Sequence, residues 1–259
     1  MDIKAHAVGM LNRLKLRWHT SRYRFPNDYR RIYHYHIRKS AGTSLNSAFW
    51  NLAGLTLRDI GRQAIIQKGK FVFVRRSANL INQGHYFYGN SHNSAHKLSL
   101  PDKTFTITIL RDPLDRLLSY YRYLSYVRYN PLASEKEPFF QEVYKESGCL
   151  GEKFSDFLDN VHKRNLMNQI YMFSNTYDIN EATERIVQCS AVCFTKTFSQ
   201  DLANLNQHLN LSLTAKRDRA FKQEVEFSAS DLVLARNALV DEFQLIEQVK
   251  KQLSINTST

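Results

Sequence analysis

Residues 36 to 45 read His36-Ile37-Arg38-Lys39-Ser40-Ala41-Gly42-Thr43-Ser44-Leu45, with a lysine and then a Gly-Thr-Ser triplet set where an apolar strand turns into a helix. Ahead of this stretch, Ile32 to Ile37 with Tyr33 and Tyr35 forms a strand-like run; beyond it Leu45, Phe49 and Leu52 recur at helical spacing. A strand–loop–helix junction of this composition aims backbone N–H groups and a helix N-terminus at an anion, while Thr43 and Ser44 add hydroxyl donors and Lys39 a mobile positive charge. The same residues also fit an ordinary helix start capped by Thr43 or Ser44. They do not fit a Walker A loop, which needs Gly, four residues, then Gly-Lys-[Ser/Thr], because here the lysine precedes the glycine.

A second segment, Thr104 to Tyr121, repeats the pattern. Its first seven residues, Thr-Phe-Thr-Ile-Thr-Ile-Leu, alternate as a strand does, and Pro113 suits the first turn of the helix that follows. Arg111 then stands at the strand's end and Ser119 about two helical turns along, so one site has a fork of guanidinium donors and a hydroxyl for a terminal phosphate. The competing reading pairs Arg111 with Asp112 or Asp115.

Together the segments resemble the paired nucleotide signatures of sulfotransferases that use 3′-phosphoadenosine-5′-phosphosulfate (PAPS). Residues 36–44 are similar to the family's 5′-phosphosulfate loop, with Arg38 where proline is common. Arg111, Asp112, Pro113, Arg116, Ser119 and Tyr121 match the 3′-phosphate signature. Within the family the chain is most similar to the carbohydrate branch that contains heparan sulfate 2-O-sulfotransferase, and weaker likeness continues through Asn165 to Gln169, Phe194 to Phe198 and Asp241 to Phe243. The resemblance implies that Lys39 contacts the oxygen bridging sulfur and the 5′-phosphate. Ser40, Ala41, Gly42, Thr43 and Ser44 would hold the 5′-phosphate; Arg111 and Ser119 would hold the 3′-phosphate. Transfer in line needs charge stabilised on the departing oxygen, which suits a preorganised lysine. A basic cradle neutralises PAPS by itself, so no metal is expected.

A base for the acceptor hydroxyl is sought in Gly84 to Lys97, where His85, His92 and His96 compete. The related glycosaminoglycan enzymes have a His-Gly-His segment that, laid over Asn90-Ser91-His92, selects His92 and puts Asn90 at the first histidine; His85 and His96 remain open.

The chain of 259 residues, 43% hydrophobic and 12% aromatic, suffices for one enzyme-sized core. We expect a basic extension over 1–28 and a single domain over 29–259. Its net charge is +12, and the excess of cations in the first 40 residues calls for something anionic. Trp18, Tyr23, Phe25 and Tyr29 among those cations suit nucleic acid, and Met10, Leu11, Leu14 and Trp18 suit a membrane surface. A solvated helix that attracts an anionic nucleotide or acceptor ranks above both, and no nucleic-acid partner is expected. No secretory signal or 18-residue apolar run occurs. With Cys149, Cys189 and Cys193 read as packed thiols, a cytoplasmic, bacterial enzyme is expected.

Further along, strands are expected at Phe71 to Val74 and Ala191 to Thr195. Helices are expected over Leu114 to Tyr129, Lys153 to Val161, Asn180 to Gln188 and Phe198 to Leu209. Asn130 to Gly151 reads as a loop, Lys216 to Arg219 as a basic turn able to close over a nucleotide, and Ser228 to Leu253 as one long amphipathic helix. Among Tyr120, Tyr121, Tyr123, Tyr126 and Tyr129, some would pack in the core and others line an acceptor cleft. The fold class is α/β: a three-layer, P-loop-like arrangement with a central mostly parallel sheet flanked by helices, Lys39 and Arg111 at adjacent strand ends. The function expected is sulfuryl transfer from PAPS to a hydroxyl of a carbohydrate or small metabolite. The rivals are a P-loop-like nucleotide kinase and a non-catalytic anion- or nucleic-acid-binding protein.

Overall fold

The structure, a computed structural model, describes residues 16–215 and 225–256. Met10, Leu11, Leu14 and the basic turn at 216–219 lie outside the described residues.

Six strands form the central sheet: β1 (Arg31–Tyr35), β2 (Ile65–Lys68), β3 (Phe71–Arg75), β4 (Tyr88–Ser91), β5 (Thr104–Leu110) and β6 (Ala191–Phe194). Their order is β2-β3-β4-β1-β5-β6, and every neighbouring pair except β2–β3 is parallel. β1 and β5 are adjacent, with Tyr35 opposite Thr108, so the loops that follow both strands leave the same edge side by side. This is the α/β class expected, and it sets Lys39 and Arg111 at neighbouring strand ends.

Apolar side chains leave both faces of the sheet. On β5, Phe105, Ile107 and Ile109 enter one cluster, which holds Leu45, Phe49 and Trp50 of helix α1 (Gly42–Asn51). Leu110 enters the opposite cluster, with Ile170, Phe173, Ile186 and Leu245. A third cluster packs helix α2 (Pro113–Tyr129) on Phe154, Phe157 and Leu239. Parallel strands covered by helices on both faces require this distribution.

Two elements differ from expectation. Asn130 to Gly151 is largely helical, with Ala133–Lys136, then α3 (Phe140–Glu146) and a 3₁₀ turn at Ser147–Cys149. Val143 and Leu150 bury themselves beside α2, a pattern too short for its period to stand out among the prolines and charges. The long C-terminal helix is two: Ala229–Ala238 and α4 (Val240–Asn256), broken at Leu239 (φ −111°, ψ 14°). The break lets one apolar stripe serve two cores, since Ala235 and Leu239 join the α2 cluster whereas Leu245, Ile246 and Val249 join the one beneath β5.

Residues 16–20 are helical, Phe25 is buried in the main core and the Tyr23 hydroxyl donates to the Lys70 carbonyl at 2.6 Å. No helix of the described residues is long and apolar enough to cross a membrane. Burial pushes the Cys189 and Cys193 thiols up to about 12, as packed thiols require. Of the α2 tyrosines, Tyr120 is buried and Tyr129 is exposed, while Tyr123 faces the site described next.

Candidate active site

A cavity of about 1230 Å³ opens beyond the C-terminal ends of β1, β4 and β5. Lys39, Ala41, Gly42, Thr43, Ser44, His92, Arg111 and Ser119, far apart in sequence, all line it. Ser40 lies off its wall, buried, with Oγ lacking a hydrogen-bond partner among the described residues.

The loop after β1 owes its shape to two left-handed residues that are not glycine, Lys39 (φ 64°) and Ala41 (φ 55°). Ala41 is the N-cap of α1 and no side chain caps it. Thr43 and Ser44 therefore sit in the first helical turn on the cavity wall, so the capped-start reading does not hold and the helix N-terminus opens on the cavity. Gly42 has no room for a side chain unless the His36 ring shifts. A Cβ on it would stand 2.1 Å from Cδ2 and 2.4 Å from Nε2 of His36. The Lys39 amine lies 4.5 Å from the centre of the Tyr123 ring, a cation–π contact from α2.

Arg111 turns toward this loop: its Nη1 donates to the Lys39 carbonyl at 3.0 Å. Asp112 is engaged as the N-cap of α2, where its side chain accepts from the Asp115 N–H at 3.0 Å. Behind Arg111, the Gln169 amide grips both sides of the backbone, accepting from the Arg111 N–H at 2.9 Å and donating to its carbonyl at 3.1 Å. Gln169 in turn donates to Glu242 at 2.8 Å, and Glu242 accepts from the Gln169 and Ile170 N–H groups. Glu242 is fully buried 3.6 Å from Arg116, itself 1% exposed, so this end of the site rests on a buried polar network.

Of the three competing histidines only His92 is on the cavity wall; His85 and His96 are not. His92 Nδ1 is 2.6 Å from the His36 carbonyl. A carbonyl only accepts, so Nδ1 carries the proton and Nε2 keeps its lone pair. Enclosure by the cavity walls and then the Arg38 charge pull this imidazole down to about 4, a depression that solvent moderates because the ring is open to the cavity. Arg38 itself is held by Glu146 at 2.5 Å, which also accepts from Asn165 at 2.9 Å. Although burial works against its charge, the Arg38 bond keeps the Glu146 carboxyl below its usual range.

The histidine of the opening motif, His36, also lines the cavity, and its ring lies 4.3 Å from that of His92. The motif by itself assigns it no role. The available signal is the alternation His34-x-His36, running from β1 into the residue just past its end, which turns two imidazoles to one side; they stack at 5.1 Å. Arg76 and Glu146 also reach the wall from segments with no motif, as do Arg122 of α2, just past the second signature, and Lys196 of the weaker Phe194 to Phe198 stretch.

The cavity thus offers cationic donors from two strand-end loops, an uncapped helix N-terminus and a neutral imidazole with an available lone pair, a set matched to an anionic ligand beside a hydroxyl to be deprotonated. No curated protein matches the chain. Residues 22–252 match the sulfotransferase family model, and the chain belongs to that family.

Proposed function

We propose that this cavity binds PAPS and moves its sulfuryl group to the hydroxyl of a carbohydrate or small metabolite. The observation that carries the reading is that the β1–α1 and β5–α2 loops wall one cavity and are tied together through Arg111 and the Lys39 carbonyl. The residues suit the donor: its two anionic ends match two separate clusters, the α1 N-terminus with Thr43 and Ser44 at one, Arg111 and Ser119 at the other. Ala41 contributes loop backbone to the first cluster, and Ser40, buried off the wall, supports that loop from behind.

In the transfer the sulfur–oxygen bond to the 5′-phosphate breaks and a bond to the acceptor oxygen forms. Lys39 stabilises the electron pair left on the departing phosphate oxygen. His92 Nε2 takes the acceptor's hydroxyl proton, its Nδ1–H staying on the His36 carbonyl. No step asks for a metal.

Calorimetry tests the reading. Adenosine 3′,5′-bisphosphate is expected to bind without metal, more tightly than Mg-ATP or an oligonucleotide. Equal or tighter binding of Mg-ATP sinks it in favour of a kinase-like site, and preference for the oligonucleotide in favour of a nucleic-acid-binding protein.

A further inference from the structure

A buried network decides where His36 carries its proton. The Asn46 amide lies between two histidines and a tyrosine: its Oδ1 is 2.6 Å from the Tyr88 hydroxyl and 3.0 Å from His34 Nδ1, and its Nδ2 is 3.3 Å from His36 Nδ1. A separation of 2.6 Å is short for an N–H donor and ordinary for O–H to oxygen, so the amide oxygen faces Tyr88. The amide nitrogen then faces His36 Nδ1, which must accept, and the one proton of the neutral ring falls on Nε2. Nε2 has no hydrogen-bond partner among the described residues, nor is it among their enclosed polar atoms.

The place of that N–H is defined on two sides. The ring edge bearing Nε2 fills the space that a side chain on Gly42 would occupy, at the start of the helix assigned to the 5′-phosphate. The ring face meets His92, the assigned base. Burial, reinforced by His92, His34, Arg75 and Arg38, holds the imidazole well below the ordinary histidine range, so it stays neutral among these cations.

We propose that His36, with its proton on Nε2, donates a hydrogen bond to an oxygen of the sulfuryl group as that group passes from the 5′-phosphate oxygen beside Lys39 to the acceptor oxygen beside His92. This rests on the function proposed above. His36 keeps its proton throughout: the bond broken is sulfur to the 5′-phosphate oxygen, the bond formed is sulfur to the acceptor oxygen, and the acceptor's proton goes to His92. A neutral donor suits a group whose charge is shared over several oxygens, because these weakly basic oxygens accept its hydrogen bond without taking its proton.

The experiment compares two ligands that differ by the sulfuryl group, PAPS and adenosine 3′,5′-bisphosphate, by calorimetry on the full chain and its His36→Leu and His36→Gln variants. His36→Leu is expected to weaken PAPS about tenfold and the bisphosphate less than twofold, the loss typical of one hydrogen bond to a charged group. His36→Gln, which keeps a donor, is expected to recover most of it. Independently of any variant, the His36 Nε2–H resonance of ¹⁵N-histidine-labelled wild type is expected to move with PAPS and to stay in place with the bisphosphate. An unchanged PAPS-to-bisphosphate ratio in His36→Leu, or a resonance that ignores PAPS, overturns the role of His36 while leaving the donor site intact. Wild type that binds neither ligand overturns the donor site and this role with it.

Discussion

The guanidinium of Arg111 donates to the backbone carbonyl of Lys39 at 3.0 Å, so the residue assigned to one end of the nucleotide also fixes the loop that grips the other. Lys39 is left-handed there (φ 64°), a conformation that costs a residue with a side chain and persists only where its surroundings hold it. One removal therefore damages two contacts.

Arg111→Ala is expected to weaken adenosine 3′,5′-bisphosphate about 100-fold, the loss of a forked pair of charge-assisted hydrogen bonds. It should also weaken adenosine 5′-phosphate, which lacks the 3′-group, through the loosened Lys39 loop. Arg111→Lys should restore little, because an ammonium cannot fork to both partners. Calorimetry with both nucleotides checks this; a 5′-phosphate affinity untouched by the alanine would show that the tie to Lys39 does nothing.

Much of this relationship was legible in the sequence. Strand, basic loop and helix follow one another at 32–52 and again at 104–121, and two parallel strands with such loops place their ends together. What lay hidden is β4, Tyr88–Ser91, because Tyr-Gly-Asn-Ser carries neither an apolar run nor a clean alternation. Gly89 is packed under the Tyr86 and Tyr33 rings, and the strand earns its place by tertiary contact. With β4 unseen, the position of His92 beside His36 was invisible, since that proximity follows from β4 pairing with β1. The clamp of Gln169 and Glu242 on Arg111 was equally hidden, because residues so distant in sequence meet only through packing.

That clamp yields a stability prediction. Glu242 and Arg116 are buried together, and removing one partner leaves the other charge without compensation in a dry interior. Glu242→Ala is expected to cost about 3–5 kcal/mol in urea denaturation. A loss under about 1 kcal/mol would mean that Arg116 finds enough support from the Asn165 and Leu166 carbonyls to which it also donates.

Gly42 provides a test of crowding with a defined rescue. Alanine is the better helix former by about 1 kcal/mol, so Gly42→Ala in the first turn of α1 should stabilise if nothing obstructed it. Here the new methyl would meet the His36 ring at 2.1 Å, so the melting temperature should fall. The double variant Gly42→Ala, His36→Ala should recover at least part of that loss. Additive losses in the pair would show that the obstruction is not His36.

The stacked histidines make a prediction for acid. His34 is fully buried, its Nδ1 engaged by Asn46 and Tyr88, and burial pulls it from 6.5 down to about 4. The folded protein then takes up this proton only near pH 4, whereas the unfolded chain takes it up near 6.5. Between those values the unfolded state binds more protons, so stability is complete above about 6.5 and falls as the pH drops toward 4. By pH 5 His34 alone should account for about 2 kcal/mol. His36, shifted in the same direction, should add to it, and His92, open to the cavity, should add less. Urea midpoints measured from pH 8 to 5, before most carboxylates titrate, should decline below 6.5. His34→Gln, which cannot titrate, should flatten that decline by its share, and an equally steep decline in this variant would place the acid sensitivity elsewhere.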